Sequence, residues 1–352
     1  MHVEKLGNEK EWQDFVQAIP TATFYHTLEW KRVIQKTFGF VPTYLTVKAQ
    51  ERIVGVCPGF ITTPWKFRIY ASLPSSDYGG PIFSGTYLSE GTRSLRDFLK
   101  EYCLDKEISY VKICFQGSVP KPFLEMPFTF MDQSKGIAEI DLKDTPSEFI
   151  WQNTKGWIRQ KIRRFEKDGF TVGETSSNSG LKEFYSLYHD NMTHIRAPAY
   201  PYEFFENMRN IIPSEEFRVW LVNGKSILGG TACFVFGNRL YLVYVAINRD
   251  LSSAKHPIMP YICWNLIRWA EERGIRYVSM GSTPSNPMHR YYVQKARFGA
   301  KFNHQVTAFI PFSSNAKALM LMRGKAISAW KAVRRVLPAD LKTSLERRFF
   351  AL

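Results

Sequence analysis

The stretch that decides the fold is "FRVWLVNGKSILGGTACFVFGNRLYLVYVAI", residues 217–247. It holds three runs rich in β-branched and aromatic residues, a composition that favours extended strands. Asn223-Gly224 and Gly237-Asn238 separate these runs, and such dipeptides are typical of tight hairpin turns. The stretch therefore predicts an antiparallel meander.

The segments after this meander complete an order of elements that also occurs in the first half. "IMPYICWNLIRWAEERG" predicts a helix that ends at Gly274, and "IRYVSMG" predicts the next strand. In the first half, "TYLTVKA", "RIVGVCPGFIT" and "FRIYASL" precede a helical "SLRDFLKEYCLDKE" and the strand "ISYVKICF". Two helical segments open each half. Each half therefore reads as helices, meander, helix and strand.

This repeated order predicts an α/β (α+β) protein with two tandem domains, each a mixed sheet flanked by helices. We expect the first domain at residues 1–145 and the second at residues 146–312. A basic tail follows at residues 313–352. The join is expected in "DLKDTPSEF", because this polar segment lies between the two patterns.

The composition indicates a soluble protein with two cores. The chain has 352 residues, of which 45% are hydrophobic, enough for more than one core. The start of the chain is polar, which predicts no signal peptide, and no apolar run approaches the ~20 residues of a membrane span. The cysteines are scattered, so we expect reduced thiols in a cytoplasmic protein without a metal site or cofactor. They are Cys57, Cys103, Cys114, Cys233 and Cys263.

The net charge of +15 is concentrated in two segments. One is "KGWIRQKIRRFEKDG", residues 155–169, and the other is the tail. Such patches favour polyanions, although a solubilising surface is the alternative interpretation. In the tail, apolar residues recur every three or four positions, which predicts a basic helix that lies on an anionic membrane or packs on the second domain. These residues are Leu319, Met322, Ala326, Trp330, Val333 and Leu337.

The stretch "NPMHRYYVQKARFGAKF", residues 286–302, places a lysine among aromatic residues. It predicts a helix followed by a strand, with Tyr292, Ala296 and Phe298 facing inward. Lys295 lies between them, and an ammonium group in apolar surroundings is costly unless it is paired or functional. The alternative is a surface lysine whose stem covers the helix.

Meander, helix and strand in this order resemble the acyltransferase fold called GNAT. Members that use acetyl-CoA have a Gly-rich loop after the third meander strand, where backbone N–H groups hold the pyrophosphate. At that place this chain has "NRDLSSAKHPIMP", which lacks glycine. Acetyl-CoA binding is therefore not supported.

Several motifs together resemble the Fem family of aminoacyl-tRNA-dependent transferases, over roughly residues 10–312. They are "YHTLEW", "DYGGP", "KIRRFEKDGFTV", "FYSLYHDNM", "YPYEFFENM", "LYLVYVAI" and "YYVQKARFG". The resemblance implies two fused GNAT-like domains and an enzyme that extends cell-wall peptides. It implies aminoacyl-tRNA or another acyl donor, and an anionic cell-envelope precursor as acceptor. The expected protein is a monomer, and its expected contact with the inner face of the membrane is peripheral.

The family's last signature is a helix whose lysine lies in the catalytic channel, and Lys295 falls on it. The resemblance implies Tyr244 as a catalytic partner on the third meander strand, with Tyr241 beside it; cross-strand packing is the alternative for both. Asp77 is the candidate catalytic carboxylate, or else an ordinary turn-capping residue. The substrate-binding candidates are Trp30, Lys31, Arg159, Arg163, Arg164, Arg196, Tyr200, Tyr241 and Tyr292.

Two positions depart from the family pattern. The acid expected after the last strand of the first domain is replaced by Phe115-Gln116, and the diphosphate-binding arginine by Tyr200, with Arg196 nearby. The acceptor therefore stays open, and an N-acyltransferase of surface polysaccharide or lipid synthesis is the second hypothesis. A non-enzymatic nucleic-acid-binding module is a third, but no matching signature supports it.

Overall fold

The computed structural model describes residues 1–64, 67–195, 197–224, 226–249 and 258–322. Its contacts divide the chain into two compact units, Met1–Ser134 with the chain from His304 onward, and Lys135–Asn303. Both units combine strands with helices, which confirms the α/β (α+β) class. The units divide after Ser134 and after Asn303, whereas the sequence predicts domain boundaries after residues 145 and 312. The expected domain boundaries stay predictions.

The first unit begins with a long series of short elements. In chain order they are β1 (His2–Lys5), α1 (Glu9–Ala18), α2 (Leu28–Phe38), β2 (Val41–Pro42), β3 (Leu45–Ala49), β4 (Arg52–Cys57), β5 (Phe60–Thr62), β6 (Ile69–Ala71), β7 (Ile82–Phe83), α3 (Leu88–Asp105), β8 (Tyr110–Gln116), α4 (Lys121–Leu124) and β9 (Phe130–Asp132). The expected helices, meander, helix and strand of the first half are all present.

The second unit contains the order read from residues 217–247. Its elements are β10 (Lys135–Asp141), α5 (Ser147–Asn153), α6 (Gly156–Lys167), β11 (Thr171–Thr175), α7 (Asn178–His194), α8 (Tyr202–Ile211), β12 (Phe217–Asn223), β13 (Gly229–Phe236), β14 (Arg239–Ile247), α9 (Ile258–Glu272), β15 (Tyr277–Pro284) and α10 (Arg290–Ala296). The strand β16 (Lys301–Pro311) follows α10, as expected from the sequence.

The strands of the second unit form one sheet in the order β11-β12-β13-β14-β15-β10. Neighbours pair antiparallel except β14 and β15, which are parallel and are joined through α9. A parallel pair needs such a crossover. The core of this unit packs side chains of α5, α6 and α9 against the sheet, including Ile150, Ile162 and Ile267.

Two sets of strands form the sheets of the first unit. One has the order β1-β3-β4-β7, and the other contains β16-β8-β6-β5-β2, with β9 also paired to β16. Here β6 and β8 are parallel and are joined through α3, which repeats the arrangement of β14, α9 and β15. The main core of this unit includes Leu95 and Leu99 of α3 and Ile113 of β8.

The sequence also explains where individual helices begin and end. The Thr27 side chain accepts from the Trp30 amide at the start of α2, and Gly39 closes that helix in the left-handed conformation with φ of 68°. At the start of α7, the Ser177 side chain likewise accepts from the Gly180 amide. Within the described ranges, no helix combines the length and apolar character needed to cross a membrane.

A buried histidine ties the start of the first unit to the loop after β6. His26 accepts from the Thr23 amide at Nδ1, at 3.1 Å, and its Nε2 lies 3.1 Å from the carbonyl oxygen of Gly80. These partners require a neutral ring with its proton on Nε2. Burial lowers the pKa of His26 from 6.5 to about 4, against the opposing effect of its backbone hydrogen bonds.

This lowered pKa predicts acid sensitivity. Between about pH 6.5 and about pH 4 the unfolded chain binds a proton that the folded ring does not, so stability falls as the pH falls through this window. The lowered pKa corresponds to a loss of about 3 kcal/mol in the free energy of unfolding across this window. Urea unfolding at a series of pH values should show this decrease in the wild type and a smaller one in His26→Gln. The exposed His189→Gln variant is the control, and parallel pH curves for His26→Gln and wild type would contradict the assignment.

The beginning of the basic tail packs on the first unit. Ala316 is fully buried and Met320 is nearly so, in a cluster with Ile69, Tyr110 and Phe309. Of the alternative packing on the second domain, expected at residues 146–312, only the contact with Phe309 is present, since Ile69 and Tyr110 belong to the expected first domain. Of the apolar tail stripe, Leu319 is partly buried against the cluster and Met322 is 56% exposed. Ala326, Trp330, Val333 and Leu337 lie outside the described residues.

Two truncations test this packing. Removal of residues 313–352 should lower the free energy of unfolding by a few kcal/mol more than removal of residues 323–352. The reason is that burial of one Met or Leu side chain is worth about 1.5–3 kcal/mol. Urea denaturation of both proteins measures the difference, and equal stabilities would show that residues 313–322 contribute nothing to the first core.

Candidate active site

The two parallel strands of the second unit part after their first three residues. β14 and β15 pair only where Arg239–Tyr241 lies beside Tyr277–Ser279. Beyond that point β14 continues in its pairing with β13, and β15 continues in its pairing with β10. The inner edges of both strands then present backbone groups that are not paired with each other, which is where a ligand can be bound.

A bulge in β14 changes the sheet face on which Tyr244 lies. Ala232 pairs with Tyr244 and Cys233 pairs with Leu242, so Val243 is an extra residue. Without it, residues 242 and 244 would share a face. Instead Leu242 packs in the core with α9, while Tyr244 has its ring 5.2 Å from that of Phe205 in α8. The bulge therefore moves Tyr244 to the face covered by α7 and α8.

A second irregularity lies in β15 and positions Lys295. Ser279 pairs with Glu139 and Ser282 with Ile137, so β15 has an extra residue here, and Gly281 adopts φ of 73°. The carbonyl oxygens of Gly281 and Ser282 both accept from Lys295 Nζ, at 3.0 and 2.7 Å. Two carbonyls that converge on one nitrogen fix the position of a charged ammonium group.

Helix α10 holds Lys295 against this strand. The His289 side chain accepts from the Tyr291 amide at 3.3 Å and so begins the helix, which is a structural role for a histidine that could have been a base. Phe298 is 4% exposed, and Tyr292 is half-buried with its ring 5.7 Å from that of Phe302. The inward orientation is confirmed for these two residues and wrong for Ala296, which is exposed.

The thiols near the opening are not nucleophiles. Burial raises the pKa of Cys263 in α9 to about 12, and the charge of Lys295 opposes this effect. Burial likewise raises the pKa of Cys233 in β13 to about 12. Both groups are therefore protonated at neutral pH. In the part of the chain that the structure describes, no group of histidine, cysteine and carboxylate side chains is arranged to hold a metal ion.

The structure brings Tyr200 and Tyr244 together in an aromatic cluster. Their rings are 5.8 Å apart, and both contact Phe204 of α8. The Tyr200 amide donates to the hydroxyl of Tyr188 at 3.3 Å, and burial raises the pKa of Tyr188 well above its usual range. Tyr241 is buried on β14, with the Arg239 guanidinium 6.0 Å from its ring. Arg196, another binding candidate, lies outside the described residues.

The three arginines expected to bind substrate all make contacts inside the second unit. Arg159 donates to the carbonyl oxygens of Trp151 and Gln152, at 3.2 and 3.1 Å, and so satisfies the end of α5. Arg163 lies 5.5 Å from the Trp151 ring, and Arg164 lies 3.6 Å from Asp168. Their predicted binding roles stay predictions.

The remaining candidates belong to the first unit. Trp30 is fully buried and donates from its indole to Ser76 Oγ at 2.8 Å. Lys31 forms an ion pair with Glu9 at 2.6 Å. The backbone carbonyl of Asp77 accepts from the side chain of Gln305. These contacts give each residue a structural role, and the roles predicted for them in binding and catalysis stay predictions.

Sequence reasoning missed the two backbone features that define the opening. The extra residue at Val243 has no signal in the sequence, because the run "LYLVYVAI" is uniformly strand-like. Gly281 does have one, since a glycine inside a strand pattern often marks a bulge. The sequence placed it at the end of "IRYVSMG", whereas the strand continues to Pro284.

Substitution of Gly281 tests the importance of the bulge. Gly281→Ala should destabilise the protein by about 1–2 kcal/mol, because an L-residue pays this cost in the left-handed conformation. Gly7→Ala is the control, since its added methyl group meets nothing within 4 Å. Urea denaturation measures both. An unchanged stability of Gly281→Ala would mean that the strand accommodates a side chain there.

The geometry agrees with comparisons to known proteins. A family model described as an acetyltransferase (GNAT) domain matches residues 152–289. The fold is similar to that of FemX, with a TM-score of 0.65 and 13% identity, over 92% of this chain and 100% of that one. No curated protein matches the sequence.

Two further solved structures are similar over most of their length. One is the C-terminal domain of a putative lysylphosphatidylglycerol synthetase from Agrobacterium fabrum, with a TM-score of 0.57 and 12% identity over 89% of this chain and 94% of that one. The other is a tandem GNAT protein from the clavulanic acid biosynthesis pathway. It has a TM-score of 0.55 and 10% identity, over 89% of this chain and 99% of that one. The expected double GNAT-like fold and the acyltransferase class are confirmed: the chain has the fold of FemX and carries a GNAT domain in its second unit.

Proposed function

We propose that this protein is an aminoacyltransferase that moves an aminoacyl group from aminoacyl-tRNA to an amine of a cell-envelope precursor, as a monomer on the cytoplasmic side. The observation that carries the proposal is the position of Lys295. Its Nζ is fixed by two carbonyl oxygens of β15, beyond the residue where β14 and β15 stop pairing. An acyl carbonyl bound in this opening would lie near a fixed cation.

The chemistry needs a cation at such a place. The acceptor amine attacks the ester carbonyl of the donor, a C–N bond forms, and the carbonyl oxygen gains negative charge. Collapse of this intermediate breaks the ester C–O bond, the leaving hydroxyl takes up one proton and the amine loses one. A preorganised ammonium group stabilises the intermediate more than the ground state, and this difference accelerates the reaction.

The choice of aminoacyl-tRNA as donor is supported by two features. The segment after β14 has no glycine for a pyrophosphate loop, although the family model that matches is one of acetyltransferases. The second unit also carries exposed basic residues on α6, and phosphate contacts dominate affinity for nucleic acids. The fold similarity to FemX agrees with this choice.

The acceptor is less constrained. Tyr200 occupies the place of the diphosphate-binding arginine and packs among aromatic rings, which favours an acceptor with apolar or ring-like groups over a diphosphate. The second candidate is therefore an N-acyl- or aminoacyltransferase that acts on a lipid or a surface polysaccharide. The similarity to a domain of a putative lysylphosphatidylglycerol synthetase supports a lipid acceptor.

The donor is tested by thermal protection of the purified full chain. Aminoacyl-tRNA should raise the melting temperature, uncharged tRNA should raise it less, and acetyl-CoA should leave it unchanged. Transfer of a labelled aminoacyl group to a small amine then reports catalysis. Protection by acetyl-CoA alone would overturn the proposed donor and leave an acetyltransferase.

Substitution of Lys295 tests the catalytic assignment. Lys295→Met should reduce kcat/KM for aminoacyl transfer by about 10²–10³, because the stabilising charge is lost in the transition state. The matched control is Lys301→Met, since the Lys301 side chain is 69% exposed and pairs with Asp144 at 3.4 Å. Circular dichroism verifies that both variants are folded. Near-normal turnover by Lys295→Met would exclude the lysine from catalysis.

A further inference from the structure

Of the five exposed large hydrophobic side chains in the described part of the second unit, four lie on α5, α6, α10 and the turn before α10, and the fifth is Ile195 at the end of α7. Phe149 of α5 is 53% exposed and Trp157 of α6 is 46% exposed. Met288, just before α10, is 82% exposed, and Tyr291 in α10 is 43% exposed. Large hydrophobic side chains this exposed have no role in the core and mark an interaction surface when they occur together.

These helices are neighbours. Trp157 of α6 has the Arg297 guanidinium of the α10 terminus 5.9 Å from its ring centre, and Lys161 Nζ 5.0 Å from it. A methyl group added at Gly299 would lie 3.7 Å from Ile150 of α5. We call this surface, formed by the exposed residues of 148–164 and 286–301, the α5–α6–α10 face.

The charge of this face is strongly positive. Residues 155–165 and residues 286–302 contain no acidic residue. The carboxylates at its borders are Glu148 on α5, Glu166 and Asp168 at the end of α6, and Asp144 opposite Lys301. Apart from Lys295, whose ammonium group is held by β15, the basic residues of these segments are Lys155, Arg159, Lys161, Arg163, Arg164, Arg290, Arg297 and Lys301.

The cations and the aromatic rings are interleaved. Arg290 donates to the Tyr291 hydroxyl at 3.0 Å and stacks 4.8 Å from its ring, as Lys161 and Arg297 flank Trp157. Tyrosine and tryptophan beside lysine and arginine are the composition that soluble proteins present to the headgroup region of a bilayer. There the rings enter the interface and the cations meet lipid phosphates.

We propose that the α5–α6–α10 face docks on an anionic lipid bilayer. A polyanion such as RNA would use the charge and the Trp157 ring, but it gives no reason for a methionine that is 82% exposed or for Phe149. A neutral protein partner would use the apolar residues but not the charge. An anionic bilayer uses both. Since α10 also carries Lys295, docking brings the helix of the proposed catalytic group to the membrane surface.

This surface differs from the one that the sequence indicated. The amphipathic stripe of residues 319–337 lies mostly outside the described residues, and its beginning packs on the first unit. The proposal is also independent of the acyl donor, because it rests only on the surface of the second unit. Its test therefore uses no donor.

Co-sedimentation of the full chain with vesicles tests the proposal. Mixed phosphatidylcholine–phosphatidylglycerol vesicles should bind the protein, and phosphatidylcholine vesicles should bind it weakly. The Phe149→Ser/Trp157→Ser double variant should lose most binding. Lys161→Glu should lower the affinity by at least about fivefold, the effect expected for removal of a single basic charge near an anionic surface.

Matched controls come from exposed residues of the first unit. Leu104→Ser and Lys121→Glu change side chains that are 60% and 86% exposed, and both should bind vesicles like the wild type. Circular dichroism confirms folding of every variant. Equal binding of the wild type to both kinds of vesicle, or wild-type binding by the face variants, overturns the proposal. So does loss of tRNA binding with vesicle binding unchanged, which would make the face a nucleic-acid surface.

Discussion

The structure of the second unit depends on the short parallel pairing between β14 and β15. The strands pair only over Arg239–Tyr241 and Tyr277–Ser279, and each then has a bulge before it continues with its other neighbour. In β14 the bulge changes the face of Tyr244, and in β15 the left-handed Gly281 directs two carbonyls at Lys295. Both strands are thus irregular where their pairing ends, and these two bulges, which the spacing of residues in the sequence does not show, set the positions of Tyr244 and Lys295.

Some charged side chains of the second unit stabilise its fold, and others are exposed on its surface. Arg159 completes the end of α5, and Arg239 bonds to Glu139 across the sheet at 2.7 Å. Such residues contribute to folding and cannot be assigned to a ligand from charge alone. The basic residues of segment 155–169, which the sequence suggested as one patch, therefore have different roles in the structure. Some satisfy carbonyls, some cover aromatic rings, and some border the exposed Trp157.

Most of the fold could be predicted from the sequence, because the strand and helix patterns repeat in the same order and hairpin turns are marked by Asn-Gly and Gly-Asn. The helix of Lys295 followed from its pattern, since Tyr292 and Phe298 point inward as expected. What failed depends on contacts between distant segments. Exposure of Ala296 and the packing of Ala316 on Tyr110 leave no local trace. The catalytic roles of Asp77 and Tyr244 likewise stay predictions.

The two units have the same order of elements but differ where their parallel strands end. In the first unit the Ser72 amide donates to Lys112, and the Ser72 hydroxyl accepts from the Cys114 amide, so β6 continues to bond to β8 beyond Ala71. Gly80 then returns so close to β8 that an added methyl group would clash with the Cys114 carbonyl oxygen. The first unit therefore fills with its own chain the space that the second leaves open. Because a transferred acyl group needs that space, the described residues place a candidate centre for chemistry in the second unit, while in the first unit His26 holds the loop that fills the corresponding space.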